Sequence, residues 1–278
     1  MTHLISPAEL AREIEDVVVL DVRWALTTAH TAAGRDDYDA GHVPGAFFVD
    51  LDTELAGPAG EGGRHPLPDP AVVQALLRRA GITQQSRVVA YDGRESYAAA
   101  RAWWVLRWLG VPDVRVLDGG YAAWLAAGLP VSSKAPADRH GDVVVTSGQL
   151  PTLDADGAAW LARDGLLLDA RAPERYAGET EPIDPVAGHV PGAVNSPTTA
   201  WLAGDGTFRR DLAEHWALVR GDRAEVDVVG VYCGSGVTAA HHLLALAELG
   251  IDGVLYPGSW SEWIRDPSRP VATGSTPG

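Results

Sequence analysis

Val226-Asp-Val-Val-Gly-Val-Tyr-Cys-Gly-Ser-Gly-Val-Thr-Ala-Ala240 is the stretch that decides the fold. Residues 226–232 are rich in valine and read as a buried strand. Gly234 and Gly236 read as a tight turn, and the apolar pattern from 237 to 249 reads as a helix that stops at Gly250. A strand that passes through a glycine loop directly into a helix is the building unit of a parallel α/β sheet. The chain's single cysteine, Cys233, stands where the strand ends. Backbone N–H groups of such a turn, and of the free helix N-terminus, stabilise negative charge on sulfur. That is a position for a nucleophile.

Working outward, the chain is written twice. Ala-Gly-His-Val-Pro-Gly-Ala occurs at 40–46 and again at 187–193, each time after a run ending in Leu-Asp-x-Arg, at 20–23 and 168–171. Val-Val-Ala-Tyr-Asp-Gly (88–93) parallels Val-Gly-Val-Tyr-Cys-Gly (229–234), and Gly119 to Trp124 parallels Gly258 to Trp263. The period is too long for a solenoid repeat and fits two copies of one domain. Each copy alternates apolar strand runs (17–22, 88–91, 114–117; 166–169, 226–232, 253–256) with helical patterns, including 95–109 and 237–249. The expected fold class is α/β: two tandem domains, each a mostly parallel sheet with helices on both faces. Residues 1–133 form the first domain, 134–148 a linker with a short strand at 143–146, and 149–278 the second domain. Asp92 stands where the second copy has Cys233, so the chemistry belongs to the second copy.

Composition narrows the partners. With 22 basic against 37 acidic residues the formal charge is −15, which argues against nucleic acid and anionic membranes. One cysteine excludes an intramolecular disulfide and fits a reducing compartment. The first residues lack the basic and apolar regions of a signal peptide, and no apolar run reaches the ~20 residues of a membrane span. A cytoplasmic location is expected. No His/Cys/Asp cluster has metal-ligand spacing, and no cofactor is implied.

Two other glycine-loop chemistries fit poorly. Gly234-x-Gly236-x-x-Ala239 formally matches a dinucleotide fingerprint, but Leu255-Tyr256-Pro257 stands where the ribose-binding acid belongs. A cysteine phosphatase needs an arginine six positions after the thiol, and residue 239 is alanine.

Both His-x-Pro-Gly turns, the thiol-free first copy and the loop Cys233-Gly-Ser-Gly-Val-Thr-Ala239 together resemble the tandem-domain sulfurtransferases of the rhodanese superfamily over nearly the whole chain. The resemblance implies a double displacement. Cys233 takes a sulfane sulfur from a small anionic donor, holds it as a persulfide, and passes it to cyanide, a thiol or a thioredoxin-like protein. Gly234, Gly236, Val237 and Thr238 would form the binding loop, with their amides stabilising charge. Ser235 matches the serine proposed to form a triad with a His and an Asp of the first domain, which map to His42 and Asp36. Because His189 occupies the same turn in the other copy, the motif at His42 also has a structural explanation. Arg175 matches the arginine that binds the donor's anionic group, whereas Arg171 reads as a structural salt-bridge partner of Asp169 or a neighbouring carboxylate.

The loop is similar to that of 3-mercaptopyruvate enzymes. Those enzymes place a second arginine nine residues after the first, and here that position is Asp184. Loss of a charge-assisted pair leaves thiosulfate open as the donor. A relay or docking module without turnover is the competing class. The tryptophans read as core, Trp104 and Trp108 by helical spacing and Trp124 and Trp263 as repeat mates. Trp260 is placed near the entrance.

Overall fold

A computed structural model describes residues 2–24, 33–222 and 228–278. The chain divides into two compact units. The first holds the chain up to Gly57, then Leu67–Leu150 and Gly204–Thr207; the second holds Pro58–Pro66, Pro151–Ala203 and Phe208–Gly278. Each unit therefore takes in a short segment from the other half of the sequence.

In the first unit, β1 (Leu4–Ile5), β2 (Val18–Asp21), β3 (Phe47–Phe48), β4 (Arg87–Tyr91) and β5 (Asp113–Leu117) form one sheet in the order β1-β5-β4-β2-β3. In the second, β6 (Leu166–Asp169), β7 (Val194–Asn195), β8 (Val229–Tyr232) and β9 (Gly253–Leu255) lie in the order β7-β6-β8-β9. Every pairing in both sheets is parallel. The edge strand β1 has a counterpart reduced to a single bridge, Thr152 to Leu255. All residues of β2, β6 and β8 are buried. A strand buried throughout has both faces covered, as crossover helices require. The helices after the central strands run over Tyr97–Trp108 and Val237–Glu248, close to their expected bounds. Of the strand expected at 226–232, residues 226 and 227 lie outside the described residues. No helix among the described residues is long and apolar enough to cross a membrane.

The short strand expected at 143–146 does not form. That segment is bound as coil to the first unit: Val143 N–H donates to Ile82 O at 3.2 Å and Thr146 N–H to Leu109 O at 2.9 Å. Its amides bond helix ends and loops rather than a strand edge, so no ladder propagates.

The duplicated Leu-Asp-x-Arg and His-x-Pro-Gly motifs meet in each unit. Arg23 Nε and Nη2 donate to the fully buried Asp21 carboxylate, Tyr91 Oη donates to the same group, and Arg23 Nη2 reaches Gly41 O at 2.7 Å. Arg171 does the same with Asp169 and with Gly188 O at 2.6 Å. Tyr91 Oη and Tyr232 Oη each accept an N–H from the turn, from Val43 and Val190, at 3.1 Å. The turn histidines are equally enclosed. His42 Nδ1 lies 2.8 Å from Tyr38 O and Nε2 lies 3.3 Å from Lys134 O; His189 repeats this with Tyr176 O and Pro277 O. Each imidazole stacks on its tyrosine, with centroids 3.9 and 3.7 Å apart. Gly192 closes the second turn at φ +89°, and a Cβ there would come within 2.5 Å of Ala162 O.

Tryptophan packing follows the repeat. Trp124 and Trp263 are both buried and donate to Pro130 O and Pro270 O at 2.8 and 3.0 Å. Trp260, expected near the entrance, is instead fully buried: its indole N–H donates to Val186 O and the Arg171 guanidinium lies 4.6 Å above its ring.

Two stability outcomes follow from this core. Asp21→Ala leaves Arg23 buried without its counter-ion and should cost about 3–5 kcal/mol in urea unfolding followed by tryptophan fluorescence. His241 and His242 are fully buried on the helix after β8, and burial pulls the His242 pKa down to about 3 and that of His241 well below its ordinary value. An unfolded histidine takes up its proton near pH 6.5 while these folded ones do not. Each therefore contributes stability above that pH that is lost as the pH falls, by about 1.4 kcal/mol per unit. His241→Leu should lose less stability than the parent between pH 7 and 5.

Candidate active site

β8 delivers Cys233 into a four-residue loop, Cys233 to Gly236, and the helix Val237–Glu248 begins immediately after it. Gly236 sits at φ +81°, a left-handed conformation natural to glycine, and turns its N–H onto Cys233 Sγ at 3.1 Å. A second segment braces the loop. Cys233 N–H donates to Ser259 Oγ at 3.2 Å, while Trp260 N–H and Ser261 N–H donate to Cys233 O and Gly234 O at 3.0 and 2.9 Å. The thiol is 2 % exposed.

The first copy shows what this kind of loop does with an anion. Asp92 turns its carboxylate into its own loop and accepts four backbone N–H groups, from Arg94, Ser96, Ala98 and Ala99, at 2.9–3.3 Å. Burial pushes the Asp92 carboxyl above its usual range, and these amides oppose that shift. Ser96 caps its helix at φ +62°, as Gly236 does in the second copy, so the Ser96 and Gly236 amides correspond. The same reasoning assigns the amides of Thr238 and Ala239 to those of Ala98 and Ala99. One cradle is filled from within by a carboxylate; the other holds a sulfur.

Beside the thiol lies a cluster of charges that sequence reasoning found only in part. Arg175 Nε and Nη2 donate to both oxygens of Glu181 at 2.7–3.1 Å, and Nη2 reaches Asp184 Oδ2 at 3.3 Å. Arg64 Nη1 donates to Asp184 Oδ1. Both guanidiniums lie against the loop: a Cβ on Gly234 would sit 2.8 Å from Arg64 Nη2 and 3.5 Å from Arg175 Nη2. Glu181 and Asp184 are nearly buried, with side chains 3 % and 4 % exposed.

The histidine against Ser235 is His65, with Nδ1 2.7 Å from Ser235 Oγ, and not the expected His42. His42 is fully buried with both ring nitrogens within hydrogen-bond distance of carbonyls of its own unit, so the hydrogen bonds of its turn already occupy it. Asp36 is exposed on the helix Ala33–Ala40 of that unit and has no part in the Ser235–His65 contact. Of the loop residues, Gly234, Ser235, Gly236 and Val237 are buried and Thr238 is half-buried.

Arg64 and His65 come from Gly62-Gly-Arg-His-Pro66, a segment of the first half of the sequence that packs within the second unit. Its signal was there to read: it joins an Arg-His pair to a Gly-Gly and a proline, whereas Gly204–Thr207, the segment of the second half that packs in the first unit, carries neither arginine nor histidine. The segment is pinned by Arg64 N–H on Ser261 Oγ at 3.0 Å. Gly63, at φ +95°, has room for no side chain, since a Cβ would lie 2.7 Å from both Gly258 O and Ser261 Oγ.

Comparison with known proteins gives the family. The rhodanese-like domain family matches residues 6–127 and again 155–266. A Pseudomonas aeruginosa protein named "Probable 3-mercaptopyruvate sulfurtransferase" is 48 % identical over 98 % of this chain and 98 % of its own length. A Mycobacterium tuberculosis protein named "Putative thiosulfate sulfurtransferase SseB" is 46 % identical over 98 % of this chain and 97 % of its own. The crystal structure of SseA from Escherichia coli, described as a 3-mercaptopyruvate sulfotransferase, superposes with a TM-score of 0.80 at 30 % identity, covering 94 % of this chain and all of that one. With two copies of the family's domain and relatives of this kind along its whole length, the chain belongs to the tandem-domain rhodanese sulfurtransferases.

Proposed function

We propose that the chain moves a sulfane sulfur from 3-mercaptopyruvate, through a persulfide on Cys233, to a thiophilic acceptor such as cyanide, a small thiol or a thioredoxin-like protein. The observation that carries this reading is the Cys233 sulfur in its amide cradle, with two guanidiniums packed on the next residue, Gly234.

In the first half-reaction the Cys233 thiolate attacks the donor sulfur. An S–S bond forms and the donor's C–S bond breaks, its electron pair passing to the methylene carbon. The resulting enolate takes up the proton that the donor thiol gives up, so pyruvate leaves and Cys233 is left as an anionic persulfide. The cradle suits that product: the Gly236 amide is already on Sγ, and those of Thr238 and Ala239 correspond to amides that hold the Asp92 carboxylate. The hydrogen-bonded pair Ser235–His65 is placed to hold or pass the proton between donor sulfur and enolate. In the second half-reaction the acceptor attacks the outer sulfur and the Cys233 thiolate leaves.

Thiosulfate is the second reading, because a relative 46 % identical to the chain carries that name. The charges near the thiol support it less well. Arg64 and Arg175 are matched by Glu181 and Asp184, so a dianion meets no net positive charge there.

Initial rates with each donor, measured against cyanide and dithiothreitol, test the reading. The expected result is faster turnover of 3-mercaptopyruvate. Cys233→Ser should abolish transfer from either donor while leaving the thermal melt unchanged; retained turnover in that variant would sink the proposal. Ser235→Ala and His65→Asn should each lower kcat about 10²-fold with 3-mercaptopyruvate, in the range of lost acid–base assistance. If they act as one unit, the double variant falls little further than either single one.

A further inference from the structure

We infer that Arg64 is a donor-binding residue: it supplies the second guanidinium for the donor's carboxylate, and Asp184 serves to orient it and to keep the site selective for a monoanion. The inference rests on the sulfur-transfer reading and names the residues that set its donor.

The charge cluster leaves guanidinium atoms unused. Arg64 is held through Nη1, which binds Asp184, and its backbone is tied to Ser261. The other edge of the guanidinium is the Nε–Nη2 fork. Nε is buried without a hydrogen-bond partner, and Nη2 is the guanidinium nitrogen nearest the position of a Gly234 Cβ, at 2.8 Å. Arg175 uses Nε and Nη2 on Glu181 and Asp184, and its Nη1 bonds neither carboxylate while lying 3.6 Å from the same Cβ position. Two guanidiniums thus present unused N–H groups at the residue that follows the thiol. A planar carboxylate matches such a fork with two parallel hydrogen bonds.

The placement is rigid. Ser259 and Trp260 hold the backbone of Cys233, and Ser261 holds both Gly234 O and Arg64 N–H. One short segment therefore fixes the sulfur and the guanidinium against each other. A Cβ at Gly234 would displace the Arg64 guanidinium from its place beside the loop.

Charge adds to the selectivity that the fork's geometry sets. Arg64, Arg171 and Arg175 carry three positive charges against three negative on Asp169, Glu181 and Asp184, with Glu181 shared between Arg175 and Arg171. A carboxylate monoanion bound to the fork adds one charge to a balanced cluster. A dianion feels twice the attraction of each guanidinium and twice the repulsion of each nearly buried acid, so removing the Asp184 charge helps a dianion more than a monoanion. Asp184, at the position where the resemblance to 3-mercaptopyruvate enzymes places an arginine, thereby both aims Arg64 and weighs twice as heavily on thiosulfate as on a monoanion.

The test is steady-state kinetics with both donors on the unaltered protein, Arg64→Gln, Arg64→Lys and Asp184→Asn, with thermal melts as a control on folding. Arg64→Gln should raise KM for 3-mercaptopyruvate at least about tenfold with a smaller effect on kcat. Arg64→Lys should recover only part of this, because an ammonium cannot form the fork. Asp184→Asn should shift the ratio of kcat/KM values at least about tenfold toward thiosulfate and make thiosulfate use more sensitive to salt. Pyruvate binding, followed by saturation-transfer NMR on Cys233→Ser with and without Arg64→Gln, reads the carboxylate site without turnover. An unchanged KM in Arg64→Gln, or pyruvate binding equal with and without Arg64, overturns the inference while sulfur transfer stands. If neither donor turns over, the sulfur-transfer reading fails, and pyruvate binding alone then decides on Arg64: loss with Arg64→Gln upholds the carboxylate site, and absence of binding overturns it.

Discussion

A carboxylate sits at zero exposure at the end of the strand beside the central one in each unit, and the rest of the architecture is arranged to satisfy it. Asp21 and Asp169 are buried charges, which are tolerated only when paired and fully hydrogen-bonded. The arginine two residues on supplies the counter-ion and the tyrosine of the neighbouring strand supplies a hydroxyl. The same arginine grips a glycine carbonyl of the His-x-Pro-Gly turn, and the same tyrosine accepts an N–H from that turn. Satisfying one carboxylate therefore fixes the register of two strands and the position of a turn. It also fixes the end of β8, where the sequence goes on into the thiol loop.

That loop turns backbone amides onto the side chain at its start in both copies, with different occupants. In the first copy the anion is internal: Asp92 consumes the amides that a ligand would need, and the loop is saturated. In the second copy the side chain is a thiol, smaller and able to form a bond, and the cradle is one residue shorter between the strand and the helix cap. The same strand–loop–helix frame thus carries an aspartate in one copy and a thiol in the other.

Charge near the thiol is balanced rather than positive. The chain as a whole is strongly acidic, at −15, and even beside the sulfur each guanidinium is matched by a carboxylate. Discrimination in such a site comes from the geometry of unused N–H groups more than from net field. The fork of Arg64 and the free nitrogen of Arg175 are directional, which is how a small site distinguishes a planar carboxylate from a tetrahedral dianion.

Much of the molecule was legible along the chain. Strand, glycine loop and helix are neighbours in sequence, and side-chain periodicity follows from local backbone geometry, so β8, its helix and their copies could be read directly. Cys233 and Arg175 were legible for the same reason, each lying inside a local motif. His42 misled because its motif is real but structural: the buried imidazole is enclosed by carbonyls of its own unit. What met Ser235 was His65, 170 positions away, and what met Gly234 was Arg64, on a loop that packs in the second unit although it is written in the first half. The sequence by itself determined the duplicated parallel fold and which copy bears the thiol, since both are set by short-range patterns. Only the tertiary structure decided which histidine and which second arginine stand beside it, because those contacts depend on where distant loops are pinned, and no local periodicity encodes that.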